Sequence, residues 1–449
     1  MKFAVCKDES KYSSFDDSTY VFSLYPQKKS TIFSSLYDLW RRISPSIISP
    51  IYEDLFVFGL SVFAIDKRMA RSLSKDNWSR NIEVLIPVSN VSLWRESKNH
   101  IEQMLSFLSG DKWTVDFYFC TDRFAMDPIR RDRVIGFQGY DSVCLFSGGL
   151  DSFCGAITLA EGGRSMCLVG HNEYPKLSIL QKSMANAIQE KFPAQKIDFF
   201  EFTANSRAPK SKEKVLEFGE NSCRSRSILF LCAAVSLAGI ISESTPVFIP
   251  ENGFISINVP LTQSRSGSCS TRTTHPFFID CYRQLLHNLG LMHEIINPFE
   301  YLTKLEVVDK VKNSPAFLEK YPDTISCSHP CNPRWKGLPY PKNCGYCYPC
   351  IIRKASLMDI EQGNEGYSDL PFTTLTELLA CRQDTANDLK AILASVHRYC
   401  SLSDQEIIRL ISSTGPIKAV NLEKHLRVYK ETMDDLRILL DREFDYREV

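Results

Sequence analysis

The sequence lacks several features that mark common classes of protein. No apolar run reaches the roughly 18 residues of a transmembrane helix, so no membrane span is expected. Positive charge is not in excess, since 53 basic residues face 53 acidic ones, and a nucleic-acid partner is therefore not expected. Internal repeats and low-complexity tracts are missing too. With 44% hydrophobic residues, the 449-residue chain predicts a globular protein of two or three domains.

Cysteine, by contrast, is plentiful. The chain has 16 cysteines, but its first residues lack the apolar core of a signal peptide. We therefore expect a cytoplasmic protein whose thiols are free or metal-bound rather than paired in disulfides.

The most informative segment is a strand, turn and helix pattern at residues 143–160. An apolar run at 143–146 is followed by a turn with the sequence SGGLDS, and apolar residues then recur at helical spacing. The turn consists of Ser147, Gly148, Gly149, Leu150, Asp151 and Ser152. Glycines let a backbone approach an anion, and the N–H groups of a helix start attract one, so we expect a nucleotide phosphate here. A plain turn with a serine or aspartate helix cap is the alternative.

The SGGLDS turn differs from the phosphate loop of kinases. A kinase-type loop needs Gly-Lys-Ser or Gly-Lys-Thr at the start of its helix, whereas this turn carries Asp151 there. That loop class is therefore excluded.

A second cluster is formed by cysteines. Cys344, Cys347 and Cys350 have the spacing C-x2-C-x2-C, and Cys327 or Cys331 lies upstream. Four soft ligands from a compact segment suit a tetrahedral structural zinc. An iron–sulfur cluster is the main alternative, although no further cysteine and proline continue the run as in bacterial ferredoxins. Unliganded thiols in a buried loop explain this spacing less well.

Two cationic side chains are candidates for phosphate contacts. Arg226 precedes an apolar helix predicted over residues 228–241 and suits bidentate phosphate binding, or it is an ordinary solvent-exposed arginine. Lys304, at a predicted helix start, can neutralise charge on a leaving pyrophosphate. Thr303 and Glu306 also fit a capping box, which gives that segment a purely structural interpretation.

A carboxylate and an amide follow the apolar strand predicted at residues 247–250. They are Glu251 and Asn252, candidates for binding the base or the substrate. Open α/β sheets bind ligands at the carboxyl ends of their strands, so this position favours a site if the strand is a neighbour of the one at 143–146. A simple Asn-Gly turn explains the same residues nearly as well.

These motifs together resemble the N-type ATP pyrophosphatases, and within them the 7-cyano-7-deazaguanine synthase family. The similarity covers about residues 141–358. It includes SGGLDS, Arg226-Ser227 as a near match to Arg-Asn, LTKLEVV at 302–308, and Ser326-Cys327 followed by C-x2-C-x2-C and Arg353-Lys354. The chain departs from the family by a longer proline-rich insert between the first two cysteines, which contains Cys331.

The resemblance implies an α/β fold of the adenine-nucleotide α-hydrolase (pyrophosphate-loop) type, with ATP, Mg²⁺ and Zn²⁺ as cofactors. It implies that a carboxylate, 7-carboxy-7-deazaguanine in the family, is adenylated and then converted by ammonia to an amide and, with a second ATP, to a nitrile. Asp151, Lys304 and Arg226 would be catalytic, residues 147–152 would bind ATP, and Cys327, Cys344, Cys347 and Cys350 would hold zinc.

The chain also resembles the longer family variants found in bacterial anti-phage operons. This likeness predicts a protein or operon partner whose amine accepts the acyl group. A tRNA-thiolating enzyme and a catalytically inactive nucleotide-binding scaffold remain as alternatives. Glutaminase-coupled synthetases are less favoured, because no amino-terminal nucleophilic cysteine is evident.

The flanking regions predict additional modules. Residues 1–140 indicate an α/β domain with helices near 37–42 and 51–63 and strands at 82–88 and 113–119, the last with Trp113, Val115, Phe117 and Phe119 on one face. A basic linker is expected at 127–132. Residues 359–449 indicate a helical domain, with a capping box at 403–406 and a long final helix. Polar loops at 205–214 and 262–275 are either lids over the nucleotide or plain surface loops.

Overall fold

The computed structural model describes residues 1–24, 31–36, 48–122, 138–217, 219–220, 224–261, 272–361, 366–368, 375–381 and 386–444. The expected helix at 37–42, the linker at 127–132 and most of the loop at 262–275 lie outside these residues. The described chain is an α/β protein with two parallel sheets, as the sequence predicts. None of its described helices combines the length and the hydropathy needed to span a bilayer.

The first parallel sheet is amino-terminal. The elements of this region are β1 (Lys2–Cys6), β2 (Tyr20–Ser23), β3 (Ile32–Ser34), α1 (Pro50–Arg68), β4 (Asn81–Val88), α2 (Val91–Glu96), α3 (Lys98–Ser109) and β5 (Lys112–Phe119). The sheet has the order β2-β1-β4-β5. Trp113, Val115, Phe117 and Phe119 alternate along β5 as predicted; the first three are buried, whereas Phe119 is 60% exposed where the pairing with β4 ends.

The second parallel sheet has the order β11-β10-β6-β7-β8. The elements of this region are β6 (Ser142–Leu145), α4 (Leu150–Glu161), β7 (Met166–His171), α5 (Pro175–Lys191), β8 (Ile197–Phe202), β9 (Ala204–Ser206), α6 (Arg226–Ile241), β10 (Val247–Phe248), α7 (Gly253–Ile257), α8 (Pro276–Asn288), β11 (Ile295–Ile296), α9 (Lys304–Val311), α10 (Pro315–Lys320) and α11 (Tyr348–Leu357). Val247 pairs with Val143, so the carboxyl ends of β6 and β10 lie side by side.

One apolar core joins the two sheets through helices α1 and α6. A Cβ atom at Gly59 would lie 2.9 Å from Cβ of Cys232, and one at Gly239 would lie 2.3 Å from the ring of Tyr52. Glycine therefore permits the close approach of these helices. Because the core contains buried residues from both sides of position 140, the amino-terminal region is packed firmly onto the second sheet. The domain boundaries at 140/141 and 358/359 stay predictions.

The polar segment at residues 205–214 is attached to the amino-terminal region. Strand β9 pairs antiparallel with β3, with Ser206 opposite Ile32. Farther along, the N–H of Val21 donates to the carbonyl of Lys210 at 2.9 Å. These backbone hydrogen bonds favour a fixed loop over a closing lid.

The carboxyl-terminal region is helical, and it covers two elements of the site. Its helices are α12 (Leu375–Ala380), α13 (Asn387–Tyr399), α14 (Asp404–Ser412) and α15 (Ala419–Phe444). The predicted capping box of Ser403 and Glu406 is formed at the start of α14. Apolar residues of these helices share a core with α7 and α11. The carboxyl-terminal helices thus support the elements that follow Asn252 and that carry Cys350.

Candidate functional site

The SGGLDS turn connects the carboxyl end of β6 to the start of α4. Gly148 has a φ of +83°, a left-handed conformation that glycine adopts without strain. Oγ of Ser147 accepts a hydrogen bond from the N–H of Gly149 at 3.2 Å and lies 3.1 Å from Oγ of Ser152. Gly149 occupies the N-cap position of α4, and no side chain caps the helix. The alternative of a serine or aspartate cap is therefore wrong, and the first N–H groups of α4 can face an anion.

A buried glutamine holds this turn in place. Nε2 of Gln181, on α5, donates to the carbonyl oxygens of Phe146 and Ser147 at 3.2 and 3.0 Å. Its side chain is fully buried against Gly148. The sequence analysis missed Gln181, because a single polar residue in an amphipathic helix has no local signal.

Asp151 and Lys304 form a buried ion pair at the start of two helices. Nζ of Lys304 lies 2.7 Å from Oδ2 of Asp151, and Nδ2 of Asn252 donates to the same oxygen at 2.9 Å. Burial alone would raise the pKa of Asp151. The charge of Lys304, an interaction with the side chain of Glu251 and hydrogen bonds from Lys304 and Asn252 outweigh burial and hold this pKa below its usual range. Asp151 is therefore ionised at neutral pH.

Both interpretations of the segment around Lys304, a structural helix cap and a cation for the site, fit the structure. Thr303 and Glu306 form the complete capping box of α9, and Lys304 is the first residue of that helix. The cap fixes the helix start, and its first side chain is buried against Asp151. The structural motif therefore positions the candidate catalytic lysine.

Asn252 and Glu251 have different environments at the end of β10. Asn252 is fully buried, and its Oδ1 accepts from the N–H of Ile255 while its amide bonds Asp151. Asn252 therefore positions Asp151. Its predicted contact with the substrate stays a prediction. The backbone of Glu251 is held by Asn297, whose Nδ2 donates to the Glu251 carbonyl at 2.9 Å. This hydrogen bond keeps Glu251 in the lining of the cleft that is described below.

Arg226 begins helix α6 beside the turn. Nη1 of its guanidinium lies 2.7 Å from Oε2 of Glu173, and its side chain is 41% exposed. An ion pair at this exposure contributes little stability, so a phosphate can replace Glu173 at small cost. Arg226 is thus both a solvent-exposed arginine and a cation available to a ligand.

A cleft of about 370 Å³ brings most of the predicted site residues together. The predicted residues of its lining are Ser147, Gly149, Leu150, Asp151, Ser152, Arg226, Glu251, Lys304 and Cys327. Its size is that of a small-molecule site. The sequence analysis gave no role to Arg224, which also lines this cleft and lies two residues before Arg226.

The four predicted metal ligands form one cluster. The Sγ atoms of Cys327, Cys344, Cys347 and Cys350 all lie within 4.8 Å of one another. Two of these separations are 3.8 and 3.9 Å, close to the ~3.8 Å edge of a tetrahedron with Zn–S bonds of ~2.3 Å. Cys331 lies outside this group, so Cys327 rather than Cys331 completes the set of four thiols. The cluster could hold a metal ion such as zinc.

Backbone donors surround the sulfur atoms. The N–H of His329 lies 3.2 Å from Sγ of Cys327, and the N–H of Cys347 lies 3.4 Å from Sγ of Cys344. Such hydrogen bonds orient and stabilise thiolate ligands. Gly345, with a φ of +93°, provides the tight bend between the second and third cysteines.

The cysteine cluster is connected directly to the SGGLDS turn. The N–H of Ile325 donates to the carbonyl of Gly148 at 2.9 Å, two residues before Cys327. Asn343, just before Cys344, clamps the same segment by accepting from the N–H of Ser326 and donating to the carbonyl of Thr324, both at 2.9 Å. A metal in the cluster would therefore brace one wall of the cleft.

No protein-family model matches this chain. The curated proteins contain no match to it either. Any assignment of function consequently depends on the chemistry of the cleft and of the cysteine cluster.

Proposed function

We propose that this protein uses ATP to adenylate a carboxylic acid and releases pyrophosphate. The proposal is carried by the cleft, in which the SGGLDS turn, Arg226, Glu251 and Lys304 meet beside the cysteine cluster. In this proposal the second sheet is a pyrophosphate-loop fold, the cluster holds zinc, and the enzyme acts in the cytoplasm. The start of α4 binds phosphate through its N–H groups.

The chemical step is a displacement at the α-phosphorus of ATP. A carboxylate oxygen of the substrate forms the new bond, and the bond from the α-phosphorus to the bridging oxygen breaks. Pyrophosphate leaves with that electron pair, and the product is an acyl adenylate. Because negative charge grows on the leaving group, cations beside it stabilise the transition state more than the ground state. Lys304 and Arg226 take this role in the proposal.

Asp151 supports this chemistry by positioning. It is ionised and buried, and its Oδ2 holds Nζ of Lys304 at 2.7 Å. A charged lysine fixed before the substrate arrives needs no rearrangement during the reaction, which is the basis of electrostatic preorganisation. Asn252 strengthens this arrangement by donating to the same carboxylate oxygen.

Magnesium accompanies ATP in such reactions, and the cleft contains groups that fit it. Oδ1 of Asp151 is buried and accepts no hydrogen bond from the described residues. Glu251 lies close enough to affect the ionisation of Asp151. One or two carboxylates together with phosphate oxygens are the usual ligands of Mg²⁺. The bound ion would offset the negative charge of the ATP phosphates.

The proposed acid is a deazapurine such as 7-carboxy-7-deazaguanine, and Glu251 can accept hydrogen bonds from the N–H groups of its ring. In the second step a nitrogen attacks the acyl carbon and loses a proton, and AMP leaves with the bonding electron pair. The nitrogen comes from ammonia or from an amine of a partner protein. With ammonia, a second ATP can then convert the amide to a nitrile.

The test is product formation by the purified protein with Mg-ATP and ammonium. AMP and pyrophosphate are quantified with 7-carboxy-7-deazaguanine, with 7-deazaguanine, which lacks the carboxylate, and without either compound. We expect equal amounts of AMP and pyrophosphate, formed only in the reaction that contains the acid. AMP that forms equally without the acid, or no AMP under any condition, would contradict the proposal.

A further inference from the structure

Arg224 is a buried cation whose donors are only partly used. Its side chain lines the cleft, and only 9% of the residue is exposed. Nε and Nη2 of its guanidinium are buried and have no hydrogen-bond partner in the part of the chain that the structure describes. Buried charged donors without an acceptor are costly, so their persistence beside a cleft indicates a ligand that supplies acceptors.

The amino-terminal region holds Arg224 from behind. Nη1 donates to the carbonyl of Ser109, at the end of α3, at 3.1 Å. The guanidinium carbon lies 4.8 Å from the centre of the Trp78 ring. The next residue is also fixed, because the N–H and Oγ of Ser225 both donate to Oδ2 of Asp66, at 2.8 and 2.6 Å. Side-chain and backbone contacts thus set the position of the guanidinium.

Local charge favours an anion at this position. Arg80 pairs with Asp66 and Asp111, and Arg71 pairs with Asp111, so both buried aspartates are already engaged. Arg224 is the additional cation of this group. Burial, followed by repulsion from Arg71, lowers the pKa of Arg224 to about 10. An anionic ligand would offset both effects.

We propose that Arg224 binds the pyrophosphate end of ATP and that the amino-terminal region holds it in place for this contact. This inference rests on the proposed function. The planar guanidinium offers paired N–H donors that match two oxygens of a phosphate. A cation contributes most where charge develops, which in this reaction is the leaving pyrophosphate. Arg224 is preorganised for this contact, whereas Arg226 must first release Glu173.

The experiment measures equilibrium binding of an ATP analogue with a methylene group between the α- and β-phosphorus, and of AMP, to the full-length protein. For Arg224→Gln we expect about tenfold to hundredfold weaker binding of the analogue, the effect of losing a charge-assisted contact, and unchanged binding of AMP. Arg224→Lys keeps the positive charge but lacks the paired N–H donors of the guanidinium, and it should recover part of the affinity for the analogue. Trp78→Leu, which removes the stacked ring without entering the cleft, should give a smaller loss of the same kind.

Arg207→Gln is the matched control. Arg207 is exposed and also stacks on an aromatic ring, with its guanidinium carbon 4.5 Å from the centre of Phe33, so its loss should leave both affinities unchanged. Equal analogue binding by wild type and Arg224→Gln would overturn the inference. The inference would also be overturned if Arg224→Gln weakened only the binding of 7-carboxy-7-deazaguanine, because that result would assign Arg224 to the substrate carboxylate. No binding of the analogue by the wild type would instead overturn the proposed function.

Discussion

The ion pairs that Arg80 forms with Asp66 and Asp111, and the ion pair of Asp151 with Lys304, are all buried, but they lie at opposite ends of the strands in their respective sheets. In the amino-terminal sheet, Arg80 and Asp111 directly precede β4 and β5. In the second sheet, Asp151, Glu251 and Lys304 lie beyond the carboxyl ends of the strands, where ligands bind in open α/β folds. The same kind of buried charge therefore occurs in two positions with different access to a ligand.

The two groups also differ in how completely their charges are used. The guanidinium of Arg80 donates to Asp66, Asp111 and two backbone carbonyls, and the whole residue is inaccessible to solvent. The pair of Asp151 and Lys304 lines a cleft, and Oδ1 of Asp151 accepts no hydrogen bond from the described residues. A closed network serves stability, whereas an open one can serve a ligand. The predictions below test this distinction.

The largest effect is expected in the closed network. Arg80→Met leaves Asp66 and Asp111 buried with fewer partners, and should reduce the free energy of unfolding by about 3–5 kcal/mol. Urea unfolding measures this. Arg95→Met is the control, because the pair of Arg95 with Asp116 is about half exposed and should contribute at most about 1 kcal/mol. Equal losses for the two variants would remove the distinction.

In the open pair, the main effect should be on activity. Asp151→Asn removes the charge that holds Lys304 and should lower acid-dependent AMP formation by roughly 10²–10³-fold, the range for losing one preorganised group. Initial rates at saturating ATP measure it. Asp309→Asn changes an exposed carboxylate on α9, the helix that begins with Lys304, and should retain full activity. Wild-type rates for Asp151→Asn would show that the open pair is only structural.

The cysteine cluster should affect the SGGLDS turn through the hydrogen bond between Ile325 and Gly148. Cys347→Ser should lower the zinc content and weaken ATP binding by about tenfold, a typical coupling between two sites. Zinc is measured by elemental analysis and ATP binding by calorimetry. Cys331→Ser should change neither, because Cys331 lies outside the cluster. Zinc loss in Cys331→Ser, or iron in place of zinc, would contradict the assignment.

The smallest effect concerns Asp435 on α15, a half-buried carboxylate among other acidic residues. Burial, followed by repulsion from Glu431 and Asp434, raises its pKa to about 7. The folded state therefore holds this proton more tightly than the unfolded chain, and the associated stability is lost as the pH rises from about 4 through 7. Asp435→Asn should equal the wild type at about pH 4 and exceed it by about 1 kcal/mol at pH 8, a value discounted for partial exposure.

Unfolding midpoints across the pH range test this prediction. Asp17→Asn is its control, because Asp17 is exposed and paired with Lys212, so its difference from the wild type should stay small at every pH. A constant difference for Asp435→Asn would show that its ionisation is not linked to folding.

Features built from neighbouring residues could be predicted from the sequence. The SGGLDS turn, the capping box of Thr303 and Glu306 and the C-x2-C-x2-C motif each depend on short spacings, and all are present in the structure. Spacing alone left Cys327 and Cys331 as alternatives. The choice depends on how the insert folds back onto the cluster, which no local pattern records.

Contacts between distant segments could not be predicted. Gln181 bonds a turn 34 residues earlier in the chain, and Arg224 is held by a carbonyl 115 residues away. Burial of these polar groups depends on the packing of α1 against α6 and on the order of the strands. The final helix, α15, and the strands β4 and β5 were easier to predict, because hydrophobic periodicity indicates them directly.

The most direct test of adenylation follows oxygen from the acid into AMP. 7-Carboxy-7-deazaguanine labelled with ¹⁸O in its carboxylate is incubated with the protein, Mg-ATP and ammonium, and AMP is analysed by mass spectrometry. If a carboxylate oxygen attacks the α-phosphorus, the AMP released by the amine carries one ¹⁸O atom, and this is the result we expect. Unlabelled AMP formed in the presence of the labelled acid would contradict the acyl adenylate and the role given to the cleft.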